Sequence, residues 1–227
     1  MSNVNMIEGI IIASFDEDDR LRQTLASTGR PYVILNRFLS GDYNCVAIDT
    51  RVAAYKGVRH LIDLGHRRIG HLAGRLGRFN GEMRLQGWSD ALREAGLVPH
   101  DDLVAEAGYD PEKVPDAVDL LLAAGVTAIH AATLLTGAAA IARLHALGRK
   151  VPQEISVVTM HDDLLARVVY PEVTTVGLPT QRMGRAAAER LVRLIEQGND
   201  GPTVVQENIL LPPDDLIIRD SATVLNS

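Results

Sequence analysis

Short runs of apolar, mostly β-branched residues alternate with helix-length amphipathic stretches along most of the chain. Runs such as GIIIA, PYVIL and CVAID predict buried strands, and apolar positions spaced three and four residues apart predict the helices between them. The strands are predicted at 9–13, 31–35, 45–49, 69–73, 103–107, 126–132 and 155–160, and the helices at 16–29, 51–64, 83–95, 111–124 and 137–147. This β–α–β–α order favours an α/β fold with a parallel sheet and helices on both faces.

The order of elements changes after residue 173. The segment VTTVGLP is short and extended, and TQRMGRAAAERLVRLIEQG predicts a long helix that Thr180 caps and Gly198 ends. Two further strands are predicted at 204–211 and 216–218. The chain therefore ends in a pattern that no longer repeats the earlier β–α units.

Composition and charge limit the classes of partner. The chain has 227 residues, 46% of them hydrophobic, and a formal net charge of −6, which is the wrong sign for binding nucleic acid over a broad face. No apolar stretch is long enough to span a bilayer, and the first residues resemble no secretory signal. The single cysteine, Cys45, cannot form an internal disulfide. We expect a cytoplasmic protein without a membrane partner.

Polar side chains cluster where predicted strands end. His161, Asp162 and Asp163 directly follow the apolar run before them, and the other strand-end loops fall at 14–15, 36–37, 74–81 and 133–136. In parallel α/β sheets, ligands bind beyond the carboxyl ends of the strands. The HDD stretch is therefore a candidate for a metal cluster, an acid–base pair or the rim of a ligand pocket.

Metal binding and covalent catalysis find little support in the sequence. His60, His66 and His71 are separated by six and five residues across a predicted helix, turn and strand, so structural or surface roles are expected for them. No Gly-x-Ser-x-Gly elbow occurs, and Cys45 lies in an apolar strand where a thiol is usually inert. We therefore predict neither an enzyme nor a cofactor.

A glycine-rich loop, GRLGRFNGEMR, lies between a predicted strand and a predicted helix. Its backbone amides and the following helix N-terminus could receive an anion, and its spacing does not match a dinucleotide-binding fingerprint. Arg78 and Arg84 add positive charge to this segment. The alternative, a flexible glycine turn with solvated arginines, is expected for Arg75 and not for Arg84, which stands at the inner start of the predicted helix.

Five segments, in this order and spacing, resemble the effector-binding domain of LacI-family transcriptional regulators. The segments read HLIDLGHRRIGHLAG, RLQGWSDALREAGL, AIHAATLLTGAAAIARLHALGRKVPQEISVVTMHDD, PEVTTVGLPTQRMGRAAAERLVRLI and LLPPDDLIIRDS, and the resemblance that rests on them runs from about 7 to about 223. The resemblance implies two Rossmann-like lobes of the periplasmic-binding-protein type that close over a small ligand. It assigns 1–49 and 178–200 to an incomplete N-terminal lobe, and 50–177 and 201–227 to the C-terminal lobe.

The resemblance also implies ligand-binding positions. The family's ligand arginine maps onto Arg84, its polar residue after an N-terminal-lobe strand onto Asn36, and a second arginine of purine-binding members near Arg78. The family's Asn-Asp pair becomes Thr133 and Leu134 here. Its Gly-Phe-Asp-Asp becomes TMHDD, so His161 replaces the Asp that usually bonds a ligand hydroxyl.

These departures make the expected pocket less acidic and more apolar, which favours an anionic or partly apolar effector over a neutral hexose. Asp162 is expected to be structural. The family's helix-turn-helix and first two β–α units have no counterpart in this sequence, so we expect DNA binding only through such a domain, and a homodimer that covers the open sheet edge at GIIIA. The alternatives are a solute-binding protein of a transport system, or a degenerate domain that binds nothing.

Overall fold

The computed structural model describes residues 7–13, 25, 27–38, 44–197 and 208–225. Its strands are β1 (Ile10–Ile12), β2 (Tyr32–Leu35), β3 (Cys45–Ile48), β4 (Ile69–Ala73), β5 (Val104–Glu106), β6 (Ala128–Ala131), β7 (Ser156–Met160), β8 (Thr174–Val176), β9 (Ile209–Leu211) and β10 (Leu216–Ile217). Its helices are α1 (Thr50–Asp63), α2 (Phe79–Glu94), α3 (Val114–Ala123), α4 (Leu134–Ala146), α5 (Leu165–Val168) and α6 (Thr180–Glu196). No helix in these ranges is both long and apolar enough to cross a membrane.

The chain forms two compact units, and each contains one sheet. The small unit comprises 1–48 and 179–211, and the large unit comprises 49–178 and 212–227. The strand order is β1-β2-β3-β9 in the small unit and β10-β8-β7-β6-β4-β5 in the large one. All pairs are parallel except β10 with β8, so the predicted parallel α/β fold is confirmed.

The small unit is built around strands β2 and β3, against which α6 packs. Its core includes Val33, Val46, Ala187 and Leu194. Strand β9 pairs with β3, so the assignment of all of 201–227 to the C-terminal lobe is wrong for 209–211. The short apolar run carries no local sign of which sheet it joins, because pairing is decided by contacts far along the chain.

Several sequence-based predictions fall on other parts of the chain. The loop at 14–15, most of the helix at 16–29 and the start of the strand at 204–211 lie outside the described residues.

In the large unit, helices cover both faces of the sheet. Successive strand residues point to opposite faces. A Cβ at Gly70 would contact Leu121 of α3, whereas the neighbouring His71 stacks on Trp88 of α2. Helices α1 and α2 therefore cover one face, which includes His71, and α3 covers the other. The large unit is the part that positions most of the candidate site.

Candidate ligand-binding site

The strand order of the large unit creates a crevice at the carboxyl ends of β4 and β6. These strands are neighbours, but the chain leaves β4 toward β5 on one side and leaves β6 toward β7 on the other. Loops that diverge in this way leave an opening where α/β proteins of many kinds bind ligands. The loop with Gly74, the segment with Thr133 and the residue His161 follow β4, β6 and β7.

Arg84 is a buried cation on α2. The residue is 3% exposed. Nη1 donates a hydrogen bond of 2.8 Å to the Tyr109 hydroxyl, and the guanidinium carbon lies 5.5 Å from the centre of the Tyr109 ring. The buried Nε has no hydrogen-bond partner among the described residues. Burial lowers the pKa of Arg84, and Tyr109 opposes that shift.

Glycines bring Arg84 and Tyr109 together. A Cβ at Gly81 would collide with the carbonyl oxygen of Arg75, so only glycine lets the first turn of α2 pass so close to the loop. A Cβ at Gly74 would lie 2.8 Å from the Tyr109 hydroxyl. The glycines first considered as an anion-binding turn therefore act here by close packing.

His161 lies directly after β7 with a φ of 75°, a left-handed conformation that is uncommon for a residue with a side chain. Its N–H donates to the carbonyl of Val176 at 3.0 Å, and its Nδ1 donates to its neighbour Met160's carbonyl at 3.2 Å. Burial, and then repulsion from Arg84, lower the pKa of His161, and the Met160 carbonyl and Asp163 oppose the shift. A neutral imidazole with hydrogen on Nδ1 leaves Nε2 as an acceptor.

The two acids that follow His161 are both engaged. Asp162 Oδ1 accepts hydrogen bonds from Thr175 Oγ1 at 2.9 Å and pairs with Arg219 Nη2 at 2.6 Å. Asp163 Oδ1 accepts from the N–H of Leu165 at 2.7 Å. This geometry agrees with the structural role expected for Asp162.

Arg78 and Thr133 stand at helix starts of the large unit. Arg78 is the N-cap residue of α2 and lines a cavity of about 790 Å³ together with Tyr109. Thr133 is the N-cap of α4, where its Oγ1 accepts the N–H of Thr136 at 3.2 Å in a capping box. The helix cap thus already uses the Thr133 hydroxyl.

Asn36 belongs to the small unit, at the end of β2. It also adopts a positive φ, of 61°, and its N–H donates to the carbonyl of Val46 at 2.7 Å. The strand-end position expected for it is therefore observed, whereas its proposed contact with a ligand stays a prediction.

Two fully buried histidines lie beneath the crevice, and sequence reasoning missed this pair. His71 of β4 and His130 of β6 are register partners whose Nδ1 atoms are 3.1 Å apart, with the rings stacked. Burial lowers the pKa of His71 to about 3 and that of His130 well below its usual value, and repulsion from Arg84 acts in the same direction on both. Both rings are therefore neutral at physiological pH.

A structural or surface role was also predicted for His66. Its ring nitrogens lie 2.9 Å from Thr127 Oγ1 and 3.1 Å from Ser156 Oγ, which confirms the structural role expected for it. No group of three or more potential metal-ligating side chains occurs in the described part of the chain.

Tyr109 is the second functional candidate that the sequence interpretation did not single out. It follows β5 in the segment EAGYD and is 39% exposed. An exposed aromatic residue beside a strand-end glycine was the available signal. Its contact with Arg84, 25 residues away, could not be predicted from local sequence.

Two largely parallel sheets in separate units, with helices packed against them, define an α/β protein of the periplasmic-binding type. The family model described as a periplasmic binding protein-like domain matches residues 58–222, and the chain belongs to this family.

Relatives of known identity are transcriptional regulators. The chain is 36% identical to the HTH-type transcriptional regulator CelR of Thermobifida fusca over 95% of its own length and 63% of that protein. It is 38% identical to GalR of Escherichia coli K12 over 72% of its own length and 49% of GalR. The chain thus spans less than two thirds of these curated relatives.

Solved structures give the same result. The structure of a CelR–cellobiose complex matches with a TM-score of 0.87 and 34% identity, covering 96% of this chain and 67% of that one. A LacI-family regulator from Mycobacterium smegmatis matches with a TM-score of 0.86 and 25% identity, over 97% and 81% of the two chains.

Proposed function

We propose that this chain is the effector-sensing domain of a LacI-family transcriptional regulator. It binds a small polar molecule at the strand-end crevice of the large unit, and binding modulates the affinity of a helix-turn-helix domain for DNA. The observation that carries the proposal is Arg84, a buried guanidinium at this crevice that has only a phenol as its hydrogen-bond partner among the described residues.

Each predicted site residue has a role in this proposal. Arg84 holds the effector through paired N–H donors, as guanidinium groups do with planar acceptors. Tyr109 packs its ring against the effector, His161 bonds to it at the end of β7, and Arg78 forms part of the rim. Asn36 belongs to the small unit, and its contact with an effector stays a prediction. Thr133 acts mainly by holding the start of α4.

Comparison with the relatives supports an effector of carbohydrate size. One related regulator was solved with cellobiose. The cavity of about 790 Å³ beside Tyr109 lies within the range of small-molecule sites. As a sensor within a transcription factor, the domain acts in the cytoplasm as a binding module without catalytic chemistry.

We also propose that the domain is a homodimer. Three large apolar side chains lie within seven residues around α5 and are strongly exposed, Leu164 at 73%, Val168 at 66% and Tyr170 at 85%. Exposed apolar side chains grouped in this way are typical of interaction sites. In the described small-unit sheet, β1 is also an edge strand that could be covered by another copy.

Thermal-shift and calorimetric titrations with mono- and disaccharides, sugar acids, sugar phosphates and nucleobases test the proposed function. A ligand present at 100 times its Kd should stabilise the domain by about 2.7 kcal/mol. Lack of binding to every compound would contradict the proposal. The chain of 227 residues should not retard an operator fragment at physiological salt, because its net charge is −6.

A further inference from the structure

Arg84 has no counter-charge among the residues that the structure describes. No described carboxylate forms a hydrogen bond or an ion pair with its guanidinium. Burial lowers the pKa of Arg84, and Tyr109 is the one described group that raises it. A neutral phenol and the face of an aromatic ring stabilise a cation only in part. Buried charges in proteins are normally paired, so a charge partner is expected to come from outside the described residues.

Acids that could have served as this partner are engaged elsewhere. Asp162 pairs with Arg219, and Asp163 accepts the N–H of Leu165. On the next strand-end loop, Asp110 accepts the N–H of Glu112 at 3.0 Å. The carboxylates at these strand ends therefore stabilise their own loops.

The described groups whose pKa is coupled to Arg84 carry no negative charge at physiological pH. His161, His71 and His130 are near enough to Arg84 for its charge to lower the pKa of each imidazole, and none of them can compensate a cation. The cavity beside Tyr109 is lined by three cationic and two acidic residues. The preference for a negative ligand therefore rests on the buried guanidinium of Arg84.

We infer that the effector carries a phosphate or carboxylate group that pairs with Arg84. The inference rests on the proposed function and adds the chemical class of the effector. The anionic group supplies the charge that the described residues lack and accepts the N–H donors of Arg84 that Tyr109 does not use. The remainder of the effector is a sugar-sized body that occupies the adjacent cavity.

Calorimetry with matched pairs of neutral and anionic compounds tests this inference on the unmodified chain. The pairs are glucose with glucose 6-phosphate, galactose with galacturonate, and cellobiose with cellobionate, and inorganic phosphate alone measures the affinity of the anion itself. In at least one pair the anion should bind tenfold or more tightly than its neutral partner. The pair that shows the preference distinguishes a phosphate from a carboxylate effector.

Variants then identify the group responsible. Arg84→Gln should abolish the preference for the anion, lowering its affinity by thirtyfold or more, and Arg84→Lys should keep part of it because the charge remains. Arg143→Gln is a matched control, since Arg143 is a partly exposed arginine that pairs with Asp119 on the other helices of the same unit. It should leave all affinities unchanged.

The outcomes distinguish failure of the anionic effector from failure of the sensing function. A neutral sugar that binds as tightly as its anionic partner would overturn the anionic effector and leave the sensing function supported. An anion preference that survives Arg84→Gln would also overturn it. Absence of binding by every compound would contradict both the inference and the proposed function.

Discussion

Replacing Arg84 by methionine should leave the ligand-free domain equally stable or make it more stable. Methionine has a similar length, is apolar, and adapts to irregular space. The substitution removes the buried charge and retains most of the packing of the side-chain stem. Changing a buried residue usually lowers the stability of a protein. Unchanged or increased stability of Arg84→Met would therefore be a specific sign that the buried charge is unfavourable in the free domain.

The expected size follows from the contacts of the guanidinium. The substitution removes a charge-assisted hydrogen bond to Tyr109, about 1.5–3 kcal/mol, and a cation–π contact, about 0.5–2 kcal/mol. It also removes the desolvation cost of a buried ion, which is several kcal/mol. These losses and this gain are of similar size, so we expect a net change between about zero and about 4 kcal/mol in favour of the variant, the range seen when buried ionic groups are replaced by apolar side chains. Breaking a compensated buried ion pair would instead cost about 3–5 kcal/mol.

Urea denaturation followed by tryptophan fluorescence measures this change directly. Trp88 is the only tryptophan of the chain, lies on the same helix as Arg84, and is 2% exposed, so its emission reports unfolding of the large unit. Arg143→Met is the control, because a largely exposed ion pair contributes about 0.2–1 kcal/mol. A decrease of more than about 2 kcal/mol for Arg84→Met, with the control unchanged, would show that the charge is compensated within the protein and refute the reasoning.

Three further substitutions or conditions follow from the same geometry. Gly81→Ala should destabilise the large unit by about 1–3 kcal/mol in urea denaturation, because its Cβ would collide with the carbonyl oxygen of Arg75. Asp162→Asn should cost about 1–3 kcal/mol, since it removes the charge that pairs with the nearly buried Arg219, and an unchanged unfolding curve would contradict that role. The affinity for galacturonate should also depend on pH, because a bound anion favours the protonated imidazole of His161, whose pKa is lowered in the free domain. The affinity should be greatest below the pKa of free His161 and should decrease as pH rises from that value through the higher pKa of the complex. A flat calorimetric profile from pH 5 to 8 would exclude that coupling.

The fold was predictable because alternating strand and helix patterns are local. Strands β4, β6 and β7 were identified from short apolar runs, and the helix that carries Arg84 from its amphipathic spacing and the glycine that follows it. Strand β9 was placed in the wrong lobe because its three apolar residues contain no information about their partner. Pairing with β3 joins residues more than 160 positions apart, and such contacts have no local signature.

The strand-end and helix-start positions of the candidate residues were predictable, and their contacts were not. Arg84 and His161 were identified because they follow strands or begin a helix. The pair of His71 and His130 was missed, because their contact depends on strand register over 59 residues. The partner of Asp162 was also invisible in sequence, since Arg219 approaches it from the last segment of the chain.

The arrangement around Arg84 has a thermodynamic consequence for how such a sensor works. Gly74 and Gly81 permit close packing that holds a cation away from water, next to an imidazole and a phenol that do not neutralise it. A local conflict of this kind lowers the stability of the free domain and is expected at functional sites, where it is retained because it serves binding. An anion that pairs with the guanidinium removes the conflict, so its binding energy includes relief of a cost already present in the free protein. The ligand should therefore stabilise the unmodified domain by more than it stabilises Arg84→Met, and this difference in ligand-induced stabilisation measures how much of the binding energy the buried charge supplies.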